Sequence, residues 1–241
     1  MRAFAKSDVG KLRDTNEDSY YISNVDDEIK IFILADGMGG YNGGEIASKL
    51  AVSTALSYIQ TNFANTPKEK EDILNLVKSA MEYANMVVYE KSNNEKELTG
   101  MGTTLEVCLI YNNKVYIGHV GDSRVYRIRK EFIRKLTHDH SYVQKLVKDG
   151  TITEEEARNH PKKNMLMKAL GCTAFLEPDV TVKGFIKDDI ILMCSDGLSN
   201  MLDDEEIYEI IRQEGTLAAE KLVEKANENG GYDNITAIVI I

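Results

Sequence analysis

Two stretches of this chain share one plan and restrict its fold more than any other feature. Lys30 to Asp36 is a short apolar run of β character that passes into Gly37, and Ile190 to Cys194 leads through Ser195 into Asp196-Gly197. A short apolar run bounded by turn signals is the pattern of a buried strand, and glycine permits a sharp turn with the backbone exposed. Two buried strands that each end in Asp-Gly bring carboxylates to one edge of a β core. The last apolar run, Ile235 to Ile241, follows Asp233-Asn234, so a third strand starts beside that edge.

The segments between these strands have a helical period. After Gly44, residues Ile46, Ala47, Leu50, Ala51, Ala55, Leu56 and Ile59 fall on one helix face. Thr66-Pro67-Lys68-Glu69 reads as a cap and capping box opening a second helix through Ile73, Leu76, Val77, Ala80, Ala84 and Val87. From Thr104 to Leu136 the pattern changes to an antiparallel meander of strands, with turns at Asn112-Asn113 and Gly121-Asp122-Ser123. A short helix at Tyr142–Lys148, a stop at Gly150 and a capping box at Thr153–Glu156 predict a small mobile subdomain over roughly 140–175. Helices opening at Asp203 and Thr216 complete a second pair. Strands in the middle and helix pairs outside favour a layered α+β architecture with antiparallel sheets.

Composition narrows the function. A net charge of −10 leaves no basic stripe for nucleic acid and does not suit an anionic membrane surface. With 3 prolines and no low-complexity run, nothing marks a linker, and residues 1–241 are read as a single domain. Cys108, Cys172 and Cys194 are odd in number and far apart, which argues against a disulfide framework and fits a reduced, cytoplasmic setting. The N-terminus lacks a signal-peptide core, and no segment approaches the ~20 apolar residues of a membrane span.

The acidic clusters carry the chemistry. Arg13-Asp14-Thr15-Asn16-Glu17-Asp18, Asp36-Gly37, Asp196-Gly197 and Asp233-Asn234 form an all-oxygen set of the kind that Mg²⁺ and Mn²⁺ prefer. A binuclear centre holds a nucleophilic water against a phosphoryl group, and the planar fork of Arg13 suits bidentate capture of a phosphate. Phosphate ester hydrolysis is the reaction these residue types point to.

Taken in order, Arg13-x-x-Asn16-Glu17-Asp18, Asp36-Gly37-Met38-Gly39-Gly40, Gly102-Thr103-Thr104, Gly118-His119-Val120-Gly121-Asp122-Ser123-Arg124, Leu136-Thr137-x-Asp139-His140-Ser141, Ser195-Asp196-Gly197-Leu198 and Asp233-Asn234-Ile235-Thr236 resemble the metal-dependent type 2C serine/threonine protein phosphatases in their short bacterial form. Each block alone is weak, and the ordered set is specific. The resemblance implies a four-layer αββα sandwich, with a flap subdomain near 140–175 that contacts substrate. It also implies hydrolysis of phosphoserine and phosphothreonine in proteins by direct attack of a metal-bridging water. Asp36 would bridge two Mn²⁺ or Mg²⁺ ions, Gly37 would offer a carbonyl, and Asp196 and Asp233 would bind the first ion. Glu17 and Asp18 would serve the second, Arg13 would hold the substrate phosphate, and Asp122 with Asp196 would form a weaker third site. The partners implied are phosphoproteins, including a bacterial Ser/Thr kinase and its substrates. A cytoplasmic monomer without nucleic acid or membrane is expected.

Plainer readings compete at each position. An isolated Asp-Gly is usually only a turn, a lone arginine is usually solvated, and Gly121-Asp122-Ser123 makes a good hairpin turn by itself. Gly37-x-Gly39-Gly40 lacks both the dinucleotide fingerprint and the P-loop lysine. His138-x-His140 lacks zinc spacing with a second ligand pair and reads as structural. Ser195 has no histidine–carboxylate pair to activate it as a nucleophile. Met38 stands where animal relatives carry a histidine considered as a general acid, and methionine cannot donate a proton. Water on the third ion is then the candidate acid, with His160 or bulk water as alternatives. A non-catalytic module of the same fold would be expected to have lost ligands, yet Asp36, Asp196 and Asp233 remain.

Overall fold

Alternation along the strands sets the layers. The structure, a computed structural model, describes residues 1–38 and 43–241. The turn expected at Gly39 and Gly40 lies outside the described residues. The chain opens with β1 (Ala3–Asp8), β2 (Asp18–Ile22) and β3 (Lys30–Met38), then forms the long helices α1 (Gly44–Phe63) and α2 (Lys70–Asn94). Next come β4 (Gly102–Thr103), β5 (Leu105–Tyr111), β6 (Lys114–Val120), β7 (Arg124–Arg129) and β8 (Phe132–Lys135). Two short helices, α3 (Tyr142–Lys148) and α4 (Glu154–Arg158), precede β9 (Asp179–Gly184) and β10 (Ile190–Cys194). The chain continues through α5 (Asp196–Ser199), α6 (Asp204–Glu214) and α7 (Ala218–Glu228) to β11 (Ile235–Ile240).

The strands make a five-stranded sheet, β1-β11-β10-β7-β8, and a six-stranded sheet in which β2-β3-β5-β6-β9 run in order and β4 pairs with β3. Neighbours are antiparallel. In β3, Ile31, Ile33 and Ala35 pack with Ala47, Ala51, Val77 and Met81 of the α1–α2 pair. Phe32 and Leu34 face the other way and pack with Ile191, Met193 and Ile238 of the second sheet. Leu192, Cys194, Ala237 and Val239 turn outward onto Ile207, Ile211, Leu222 and Val223 of α6 and α7. The order of layers is therefore helices, sheet, sheet, helices, the expected αββα sandwich. Because side chains alternate, Asp36 continues the Phe32–Leu34 row and Ser195 the Ile191–Met193 row. Both arrive between the sheets.

Two expectations need correction. The region 104–136 is not one meander: β6 pairs with β5 and β9, whereas β7 pairs with β10 and β8. Gly121-Asp122-Ser123 is therefore a crossing between sheets and not a hairpin turn. Gly121 has φ +118°, and a Cβ there would collide with Thr104, so this crossing requires glycine. The Thr66–Glu69 capping box also does not form. The Thr66 hydroxyl donates to the Asn62 carbonyl and so serves the end of α1, and α2 begins after Glu69 without a side-chain cap. Finally, β1, β2, β9 and α5 carry no periodic apolar signal strong enough to read in advance. β1 and β9 are edge strands with mixed exposure.

Candidate metal centre

Strand register begins the site. Asp18, the first residue of β2, sits directly opposite Asp36 on β3. Ser195, just past β10, donates its hydroxyl to Asp18 Oδ2 at 2.8 Å, and Thr236 on β11 donates to the same oxygen at 2.6 Å. Both hydroxyls thus come from the five-stranded sheet to a carboxylate on the six-stranded one. Asp18 Oδ1 is left buried without a hydrogen-bond partner. An orphaned buried carboxylate oxygen is costly unless a cation or a proton faces it.

The other acids gather around this pair. Asp36 is fixed by its backbone: its N–H donates to Thr104 Oγ1 at 2.9 Å, and its carbonyl accepts from the Thr103 hydroxyl and the Thr104 N–H, each at 2.9 Å. Asp196, in the first turn of α5, accepts from Asn200 Nδ2 at 3.0 Å. Burial, then the neighbouring acids Asp18, Asp196, Asp122 and Asp233, hold the Asp36 carboxyl well above the usual carboxylate range. Burial likewise pushes Asp18 up to about 7, and burial with the Asp233 charge pushes Asp196 up to about 6. Asp122 is raised by burial and by Asp196, which puts the sheet crossing at the edge of the same cluster. Glu17 is raised by burial and by Glu45. Its carboxylate lies against Gly44, where any Cβ would collide with it, and a Cβ on Gly37 would strike the Gly44 carbonyl. Glycine at both places lets the start of α1 close on the acidic edge.

Arg13 is half exposed, and its guanidinium donates to Asp233 Oδ2 at 2.8 Å. The segment between Arg13 and Asp18 is held by asparagines. Asn234 accepts the Glu17 N–H at 2.8 Å on Oδ1 and donates from Nδ2 to the carbonyls of Val9 and Thr15, each at 2.9 Å. Asn16 accepts the Asp18 N–H at 3.1 Å and donates to Ser7 Oγ at 2.8 Å. Ser195, Thr236, Thr104, Asn16 and Asn234 are therefore part of the site, although reading the residues alone assigns them no role. Most of their partners lie far off in sequence, up to 229 residues for Thr236 and Ser7, so no local signal marks their role.

Among the described residues, no three His, Cys, Asp or Glu side chains converge around one point as a closed ligand set. That does not exclude Mg²⁺ or Mn²⁺, because Mg²⁺ usually binds through one or two carboxylates and keeps several waters, and Mn²⁺ prefers the same oxygen donors. The orphaned Asp18 Oδ1, the mutual repulsion of Asp18, Asp36, Asp196 and Asp233, and a donor set made only of oxygen fit hard divalent cations. Zinc of the thiolate or imidazole kind does not fit.

Beside the acids, a cavity of about 630 Å³ runs between residues 141–164 and the α5–α6 segment, with Asp122, Asp196, Arg158, Lys163, Asn200 and Asp204 in its walls. The 141–164 stretch has little core of its own, with Val143 and Ala157 buried, and it is closed at its base by a Ser141–Leu166 bridge. The His160 ring lies tilted beside Tyr142 there, with ring centroids 6.1 Å apart. The Met38 methyl packs near Gly102.

The family profile described as Protein phosphatase 2C matches residues 13–228. The serine/threonine phosphatase stp of Listeria monocytogenes serotype 4b (strain F2365) is 39% identical over 243 residues, covering 100% of this chain and 95% of that protein. The crystal structure of Stp1 from Staphylococcus aureus superposes with a TM-score of 0.91 at 34% identity, over 98% of this chain and 93% of that one. The catalytic domain of PstP, crystallised with 2 manganese ions, gives 0.85 at 36% identity, over 99% and 96%.

Proposed function

Since this chain belongs to the protein phosphatase 2C family, we propose that its acidic inter-sheet edge is the active site of a metal-dependent protein serine/threonine phosphatase, and that residues 1–241 are one catalytic domain with a flap near 140–175. The observation that carries the site assignment is the orphaned Oδ1 of Asp18, set opposite Asp36 in a cluster of carboxylates that repel one another. Asp36 would be shared between two ions, the Gly37 carbonyl, Asp196 and Asp233 would hold one of them, and Glu17 and Asp18 would hold the other, partly through water. Mn²⁺, which accompanies the PstP relative, or Mg²⁺ fits these oxygens. Asp122 and Asp196 would hold a weaker third ion. Bound there, divalent cations supply Lewis acidity, making a water nucleophilic near neutral pH and offsetting charge on the phosphoryl oxygens.

The chain's own residues do the rest. Arg13 exchanges Asp233 for two phosphate oxygens; an exposed ion pair of this kind is worth only about 0–1 kcal/mol, so the exchange costs little. Ser195 and Thr236 keep Asp18 turned so that Oδ1 faces the cluster, and Thr103 and Thr104 hold Asp36 by its backbone. A departing seryl or threonyl oxygen needs a proton, which Met38 cannot give, so proton delivery belongs to the Asp122 side of the site. The cavity under the flap receives the polypeptide on either side of the phosphoresidue. The substrates are phosphoserine and phosphothreonine proteins, including those of a Ser/Thr kinase, and the enzyme works as a cytoplasmic monomer. Among the described residues no helix is long and apolar enough to cross a membrane. Phosphate release from phosphothreonine and phosphotyrosine peptides, with Mn²⁺ and with EDTA, tests the reading: turnover should need the metal and favour phosphothreonine. Full activity in EDTA would refute it.

A further inference from the structure

Glu106 on β5 and His119 on β6 lie opposite each other and are fully buried, and no catalytic step uses either. His119 Nδ1 is 2.9 Å from both Glu106 carboxyl oxygens. Its Nε2 lies 2.8 Å from the His138 carbonyl, which can only accept, so Nε2 carries a hydrogen. One proton is then shared between Nδ1 and Glu106, and the pair is neutral as a whole whichever atom holds it. This clip fixes the 138–140 segment, and the His140 ring lies against His119 with centroids 4.5 Å apart.

His140 reaches the sheet crossing. Its backbone N–H donates to the Gly121 carbonyl at 2.7 Å, while the Gly121 N–H donates back to His140 Nδ1 at 3.1 Å. Its Nε2 is 3.3 Å from Asp179 Oδ2, which fixes the tautomer with hydrogen on Nε2 and leaves Nδ1 free to accept. Lys168 sits on the other oxygen of Asp179 at 3.2 Å. On the far side of Asp122, Ser123 shares a hydrogen bond of 3.0 Å with Thr104, the residue that holds the Asp36 N–H. Asp122 is therefore strung between two pinned neighbours.

We propose that His140, backed by the Glu106–His119 clip, is a positioning residue that sets the Gly121-Asp122 crossing through its Nδ1. The inference rests on the role given to Asp122 above. It applies to this chain because the clip, the stacked ring and the reciprocal Gly121 bonds form one continuous path from the buried pair to Asp122.

Asparagine can place its Oδ1 near where Nδ1 stands, whereas phenylalanine keeps the ring and loses the acceptor. His140 is partly exposed, so both variants should fold, and thermal melts verify this. In the metal-free protein, amide exchange at Gly121 followed by NMR should speed up on the order of tenfold or more in His140→Phe and stay slow in His140→Asn. At saturating Mn²⁺, His140→Phe should lower kcat/KM for a phosphothreonine peptide by on the order of tenfold and for p-nitrophenyl phosphate by less than about threefold, because an aryl leaving group needs little protonation. His140→Asn should recover most of the loss. Combined with Asp122→Ala, His140→Phe should add nothing further, since two residues acting through one element do not add.

Unchanged Gly121 exchange, equal losses on both substrates, or full additivity with Asp122→Ala would overturn the proposal. Asp122→Ala alone separates the two ideas. If it discriminates between the substrates while His140→Phe does not, the positioning role fails and the reading of Asp122 stands. If it impairs both substrates equally, the reading of Asp122 fails and the positioning role falls with it.

Discussion

Thr236 spends its hydroxyl on Asp18 Oδ2 while sitting 2.7 Å from Ser7 Oγ, so Thr236→Val removes a donor from a buried carboxylate. We expect a loss of about 1–3 kcal/mol in urea denaturation together with weaker Mn²⁺ binding by calorimetry; unaltered Mn²⁺ affinity would separate this clip from the metal centre. Asp36→Asn and Asp196→Asn should leave the fold largely intact and cut kcat by at least ~3 orders of magnitude, about 4 kcal/mol in the barrier. A variant with near-normal kcat and full metal content would contradict the ligand assignment. Arg13→Ala should raise KM if the guanidinium holds ground and transition states alike, and lower kcat if its bonds tighten as charge develops. Asp36, Asp196 and Asp233 could be read in advance because each adjoins an apolar run. Asn16 and Asn234 are different: an asparagine in a loop looks like turn chemistry, and only the closed fold shows Asn234 holding Glu17, Val9 and Thr15 together.

Between elements, the strongest polar tie near the site joins β7 to the segment after β8. Arg124 donates from Nε and Nη2 to Asp139, with Nη2 at 2.7 Å, and Lys135 adds a contact at 3.3 Å. Burial alone pushes the Asp139 carboxyl up, but Arg124 and Lys135 outweigh it and leave it below the usual carboxylate range. A carboxyl held below its unfolded value adds stability that is fully present above about pH 4 and is lost as the pH falls through the folded value. Arg124→Met, which leaves the buried Asp139 with only the longer Lys135 contact, should therefore cost about 3 kcal/mol near neutrality, the low end for a broken buried pair. The gap to the parent should narrow on acidification, as the carboxyl that has lost Arg124 takes up a proton; a gap constant from neutral pH to about pH 4 would mean lost packing and not lost charge. The same strand shows where element reading fails. Gly121-Asp122-Ser123 has hairpin composition, and the choice between hairpin and crossing is made by Thr104, which binds Ser123, and His140, which binds Gly121, both from elsewhere in the chain. The α4 capping box of Thr153 and Glu156 forms as its local spacing predicts, because every partner it needs is within one turn.

For the whole molecule, the acidic edge and the fold work against each other until cations arrive. Asp18 and Asp196 have carboxyls raised to about 7 and about 6, chiefly by burial. A carboxyl raised in the folded state contributes most below its unfolded value, and that contribution is lost as the pH rises toward the folded value. Metal-free protein should accordingly lose stability from this cluster between about pH 4 and pH 7. Added Mn²⁺ should raise Tm more at about pH 7.5 than at about pH 5, since cations compete with protons for the same oxygens. Thermal melts at both values, with Mn²⁺ and with EDTA, decide it; no Mn²⁺ dependence at the higher pH would contradict the centre.

The strand order has a consequence for how the molecule comes into being. β11 lies between β1 and β10, and Arg2 and Ile241 exchange backbone hydrogen bonds at the end of the β1–β11 pair. During synthesis β1 leaves the ribosome early and has no partner until residues 235–240 follow it, more than two hundred residues later. Thr236 and Asn234, which orient Asp18 and Glu17, travel with that same strand. Closing the five-stranded sheet and finishing the acidic edge are thus a single late event, and a nascent chain still short of β11 holds most of the fold's residues but no working phosphatase.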